Sequence, residues 1–162
     1  MKSAKELFSA VGIRGVLIPA GRRSILLPNV AVAEIISFKS QTPPTPKEDA
    51  PKWLLGHINW RSVNLPIISW ERLVENREPN WQEPRIRIAV LNTINGNRNL
   101  THIGLLSAGI TRLIKIRPEI LEEDTNFPIK SPLIKAAATI AGTEVWIPDL
   151  DQLEKQLLTL PR

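Results

Sequence analysis

The chain of 162 residues contains no cysteine, which excludes a disulfide framework, thiolate metal sites and cysteine nucleophiles together. Histidine is almost as scarce. His57 and His102 stand on separate strand candidates, outside any metal-ligand spacing, and packing or surface roles are expected for both. No apolar run approaches the length of a membrane span. Gly12, Arg14, Gly21, Arg22 and Arg23 interrupt the residues after the basic start Met1 to Phe8 before an export segment develops. A cytoplasmic protein with no direct membrane insertion is expected.

The motifs of catalysis are missing as well. Ser62, Ser69, Ser107 and Ser131 lie outside a G-x-S-x-G elbow, and the segments at Gly104 and Gly142 lack the spacing and the lysine of a phosphate cradle. Glu119, Glu122, Glu123 and Asp124 crowd one polar connection with no partner acid or base, as a solvated loop would. No catalytic residue, metal ligand or cofactor is expected, and the chain reads as non-enzymatic. Lys and Arg outnumber Asp and Glu by 21 to 16, but these bases are dispersed, the densest being Arg22-Arg23 and Arg85 with Arg87. The three phenylalanines and five tryptophans do not interleave with them. A basic surface fits better than a nucleic-acid binder, which needs a charged groove with stacking platforms.

What the sequence has in excess is proline, 14 residues against a usual share of about 5%. Each removes a backbone donor and fixes φ, which argues against a helical bundle. Hydrophobic residues make up 43%, enough to bury one domain or two small lobes sharing a core. Residues 13–18 and 24–27 read as a hairpin broken at Ala20-Gly21-Arg22-Arg23, and 30–38 as a strand carrying Glu34. Residues 39–52 hold four prolines and almost nothing to bury, a spacer by composition. The apolar block 53–70 predicts two strands joined around Arg61-Ser62, with a short helix through Glu71 to Val74. Further strands are predicted at 86–91, 102–106 and 110–116, with hairpin-turn chemistry at Asn95-Gly96-Asn97. Leucines at helical spacing behind Asp149 predict a capped C-terminal helix.

Two segments repeat. Ile67 to Leu73 aligns with Ile147 to Leu153 at an offset of 80, which sets Ser62 opposite Gly142; Ser24 to Leu27 and Val32 to Ile35 align with His102 to Leu105 and Ile110 to Leu113 at an offset of 78. Two nearly equal offsets predict a duplicated, proline-interrupted antiparallel unit of the kind that closes into a barrel and so removes its edges.

With no chemistry to place, surface remains. Trp53, Trp60, Trp70, Trp81 and Trp146 are amphipathic anchors, with core packing the simpler expectation for Trp53 and Trp70. Arg61 interrupts the most apolar block just before the predicted turn, where its guanidinium either reaches a partner or simply faces water. Glu34 on a β-branched strand poses the same choice.

The block Gly56-His57-Ile58-Asn59-Trp60-Arg61-Ser62-Val63-Asn64-Leu65-Pro66-Ile67-Ile68 resembles the signature of the CheW-like adaptor family, and Val32-Ala33-Glu34-Ile35 resembles its Val-x-Glu-Ile. The resemblance runs from about Gly12 to Leu158. It implies an all-β fold of two small five-stranded SH3-like barrels packed together, with short helices after barrel strands and at the C-terminus. The whole chain, 1–162, would be one such domain, with one lobe over 12–35 plus 140–158 and the other over 36–135. It implies a non-enzymatic adaptor that joins a methyl-accepting chemoreceptor to a CheA-like histidine kinase, recruited to membrane-associated receptor arrays. Its partner-binding surface would include Arg61, Glu34, Val32, Ile35, Gly56 and Trp60. Three departures stand out: Ser62 for the family's glycine, Ser69 for its aspartate, and Leu106-Ser107 for its Val-Asp. They suggest an accessory member of a pathway controlling type IV pilus twitching motility. The alternatives are a small-molecule-binding barrel or a structural β module of another complex.

Overall fold

The computed structural model describes residues 14–41 and 43–160. The basic start at 1–8, Gly12, Ile13, Thr42 in the proline-rich loop and the chain end at 161–162 lie outside these residues. Strand β1 (Arg14–Ala20) pairs with β2 (Arg23–Pro28), Ala20 facing Arg23, so that Gly21 and Arg22 alone make the turn. Gly21 takes φ +84° there, a conformation glycine adopts without steric cost. Pro28 ends β2, a 3-10 turn spans Asn29–Ala31, and β3 is Val32–Ser37. The apolar block forms β4 (Leu54–Trp60) and β5 (Val63–Ile68) around Arg61 and Ser62. The short helix after β5 is a single π-helical turn over Glu71–Glu75.

Strands β6 (Arg87–Asn92), β7 (His102–Ser107) and β8 (Arg112–Lys115) follow, close to the predicted spans. The Asn95-Gly96-Asn97 segment is no two-residue hairpin turn. It lies in a long loop whose ends meet through Thr93 N–H donating to the Thr101 carbonyl at 3.1 Å. The loop is pinned from outside by the buried Glu154 carboxylate, which accepts the Ile94 and Asn95 N–H groups at 3.0 and 3.2 Å. The acidic connection is more ordered than a solvated loop: a 3-10 turn at Pro118–Ile120 leads into β9 (Leu121–Glu123), with Leu121 buried. Strands β10 (Ile134–Ile140) and β11 (Thr143–Pro148) precede helix α1 (Leu150–Leu158). Asp149 caps α1, its carboxylate accepting the Gln152 N–H at 3.1 Å.

Two sheets result, ordered β8-β1-β2-β11-β10-β9 and β3-β6-β7-β5-β4. The first has six strands rather than five, because β9 adds to the outer edge of β10. Apart from β9 the sheets share one topology. The hairpin β4–β5 matches β10–β11, including a ladder irregularity after Leu54 and after Ile134. The parallel pairing of Ile67 with Gly104 is mirrored by that of Val145 with Ser24. Each sheet combines a hairpin from one copy of the repeat with three strands from the other: β1–β2 joins β8, β10 and β11, while β6–β7 joins β3, β4 and β5. The lobes are thus interlaced. All of β3 lies in the second sheet, and β8 to β10 lie in the first. The sequence-based lobe limits at 35/36 and 135/140 do not coincide with the sheets, because β3 pairs with β6 while β8 pairs with β1 and β9 and β10 extend from β11.

The core has three parts. Leu17, Leu26, Ala138, Ile140, Val145 and neighbours fill the first lobe, and Leu65, Ile67, Ile88, Val90 and neighbours fill the second. A third cluster joins Ile18, Ile25 and Ala137 of the first lobe to Ile68, Trp70 and Leu105 of the second. Each lobe alone would leave this third cluster in water, a loss no unit of about 80 residues withstands easily.

Candidate protein-interaction surface

Strands β3 and β4 are the two edges of the second sheet, and side chains connect them. Trp60, at the end of β4, donates its indole Nε1–H to Glu34 Oε2 on β3 at 2.7 Å. Arg61 Nη2 lies 3.3 Å from the same oxygen, and its guanidinium carbon sits 5.3 Å from the Trp60 ring centroid. On another side the Trp60 ring meets His102 at 4.8 Å between centroids, where partial burial holds the imidazole below its usual pKa and thus neutral at physiological pH.

The turn that presents Arg61 has positive φ at both central residues, +47° at Arg61 and +65° at Ser62, as a two-residue hairpin turn requires. Asn59 steadies it by accepting the Ser62 N–H at 3.1 Å. The Arg61 side chain remains 70% exposed. At that exposure its ion pair with Glu34 contributes about 0–1 kcal/mol to folding. Its five donors stay largely free for a carboxylate or carbonyl on another molecule.

Three of the six sequence-expected site residues therefore meet: Glu34, Trp60 and Arg61. The others do not join them. Val32 and Ile35 are half-buried against the inter-lobe cluster, because strand alternation, modified by an irregularity between Val32 and Glu34, turns them away from the Glu34 face. Gly56 is buried with φ +125°, and a Cβ there would stand 2.8 Å from the Thr45 carbonyl oxygen. Its place is under the proline-rich loop, not on an exposed surface. His102 was not among the expected site residues. Nothing in its own stretch of sequence signals a contact with a tryptophan 42 positions earlier.

Residues 39–52 also do more than span a gap. Pro43, Pro44 and Pro51 with Phe38, Leu55 and Trp81 line an open cleft of about 510 Å³. Trp81 is held by its Nε1–H on Glu78 at 2.8 Å and by the Arg72 guanidinium 5.6 Å from its ring centroid.

The CheW-like domain model matches residues 14–157. The chain belongs to the CheW-like domain family. No curated protein sequence matches it. Among solved structures it is similar to the scaffolding protein TtCheW from Thermoanaerobacter tengcongensis, with a TM-score of 0.68 at 17% identity, over 86% of this chain and 90% of that one. That likeness confirms the two-lobed CheW-like fold. Two of the departures from the family signature are accommodated locally. Ser69, fully buried, accepts the Arg72 N–H on its hydroxyl at 3.2 Å and so caps the π-helical turn as an aspartate would. Ser107 donates to the Gly109 carbonyl at 2.9 Å. Among the described residues, no helix of this CheW-like chain is long and apolar enough to cross a membrane.

Proposed function

We propose that this protein is a non-enzymatic cytoplasmic adaptor that couples a methyl-accepting chemoreceptor to a CheA-like histidine kinase, using the Glu34–Trp60–Arg61 corner as a contact surface. The observation that carries this reading is Arg61 itself: a mostly exposed guanidinium, aimed by Trp60 and Glu34, on a turn held in an uncommon backbone conformation. Such a group fixes the orientation of a partner through charge-assisted hydrogen bonds. Membership of the CheW-like family supplies the class of partner. The scaffolding role belongs by name to TtCheW and is extended here to this chain. Association with a pilus-controlling pathway and recruitment to membrane-associated arrays belong to the same proposal, the first resting on Ser62, Ser69 and Ser107 at positions where the family signature differs.

A small-molecule barrel fits less well, because the interiors of both lobes are filled by side chains such as Ile140, Val145, Leu65 and Val90, each 0% exposed, and the cleft beside Trp81 lies outside them. Calorimetry with the purified kinase regulatory domain and a receptor fragment tests the adaptor reading. The native protein should bind at least one of them, and Arg61→Glu should weaken that binding by tenfold or more, roughly the worth of one charge-assisted contact, with an unchanged circular dichroism spectrum. Absence of binding by the native protein to both partners would reject it.

A further inference from the structure

The two lobes touch at a point made of acids. Glu75, on the π-helical turn after β5, accepts the backbone N–H of Arg22 with both carboxylate oxygens, at 3.0 and 3.3 Å. Arg22 sits in the β1–β2 turn of the other lobe, and a Cβ on the neighbouring Gly21 would collide with the same carboxylate. The hairpin tip is thus seated on Glu75, whose side chain is only 7% exposed. On its far flank β1 is tied to the second lobe by the Ala108 N–H donating to the Pro19 carbonyl at 2.7 Å.

Glu71 lies one turn before Glu75, 3% exposed, with Oε1 lacking any hydrogen-bond partner. An ionised carboxylate there is poorly solvated, is offset only by a hydrogen bond with its own backbone N–H and by Arg77, and faces a second carboxylate nearby. The charged groups acting on it are Glu75, which favours its proton, and Arg77, which opposes it from 3.7 Å beyond Glu75. Arg22 meets Glu75 through its backbone N–H, and Arg72 of the same turn is engaged by Glu78 and by the Lys52 carbonyl.

We propose that Glu71 and Glu75 form a proton-dependent clasp between the lobes: Glu71 holds a proton while Glu75 seats the hairpin tip, and loss of the Glu71 proton loosens that seat. Burial raises the Glu71 pKa from 4.5 to about 7, so the exchange falls near physiological pH. The folded state binds this proton more tightly than the unfolded one does. Its contribution to stability is therefore complete below about pH 4.5 and is lost as pH rises through about 7. The proposal concerns the lobes alone and does not depend on which partners bind.

The test is a pH series on the full chain by amide NMR and hydrogen exchange. Between about pH 5.5 and pH 8 the Arg22 amide resonance should move, and its exchange, corrected for the intrinsic pH effect, should speed up roughly tenfold. Glu71→Gln should hold the Arg22 resonance and its corrected exchange constant over that range. A native Arg22 amide that does not titrate, or one that titrates equally in Glu71→Gln, would overturn the clasp. Should Glu71→Gln fail to fold, Glu75→Gln decides: the Arg22 titration must vanish with its Glu75 acceptor, and its persistence rejects the proposal.

Discussion

Two arginines follow the same recipe in the two lobes and come to opposite ends. Arg23 opens β2 beside the first hairpin turn, pairs with Glu144 at 2.9 Å and lies 4.6 and 5.0 Å from the ring centroids of Phe127 and Trp146. Arg61 occupies the β4–β5 turn, pairs with Glu34 and lies against Trp60. Both have a carboxylate and an aromatic face, but Arg23 is 8% exposed and Arg61 is 70% exposed. Burial changes the meaning of the cation. Arg23 Nη1 also donates to the Ala138 and Val145 carbonyls at 3.3 Å each, so its charge is consumed in joining β2, β11 and β10. Arg61 spends little of its capacity inside the molecule and leaves most of it facing water. A salt bridge with a stacked ring is thus structural or functional according to how much water remains around it.

That contrast can be broken by substitution. Arg23→Ala should cost the most, about 3 kcal/mol, because it strips partners from buried carbonyls and removes a two-ring stack. Urea unfolding followed by tryptophan fluorescence measures it, and a loss below about 1 kcal/mol would place Arg23 with the surface arginines. The matching turns offer a second comparison, since Ala141 and Gly142 hold φ +47° and +81° where the other lobe has Arg61 and Ser62. Gly142→Ala should destabilise by about 1–2 kcal/mol, the cost of a Cβ in the left-handed region. Ser62→Gly should go the other way, gaining up to about 1 kcal/mol after the added freedom of the unfolded chain is counted. Smallest of all, Arg61→Ala should change stability by no more than about 1 kcal/mol. A loss comparable to that at Arg23 would show that the exposed corner holds its barrel shut and would take away its availability to a partner.

The lobes also close differently. In the second, Glu34, Trp60 and Arg61 connect edge strands by side chains; in the first, β9 extends the sheet by backbone bonds, with the Ala141 N–H donating to the Ile120 carbonyl at 3.1 Å. The sequence repeat made the shared strands legible because paired β-branched runs and turn residues recur at offsets of 80 and 78. It concealed β9, whose three residues are acidic at two positions and carry no period. It also concealed β10, where Ala136, Ala137 and Ala138 favour helix by propensity and become strand through pairing with β11 and β9. Trp60 and Arg61 were recognisable from the signature block, and Glu34 from the Val-x-Glu-Ile match. That they share one carboxylate oxygen, and that Val32, Ile35 and Gly56 face elsewhere, was not.

By itself the sequence determined the local vocabulary: strands where apolar residues alternate, turns where glycine or a short polar pair accepts positive φ, and a capped helix after Asp149. These follow from interactions over a few residues. Only the tertiary structure decided which lobe owned each strand, which arginine was buried, and that Glu71 is buried beside Glu75 at the junction. Those outcomes depend on burial and on contacts between residues dozens of positions apart, such as Arg22 with Glu75. No local pattern encodes the loss of water that sets their energies.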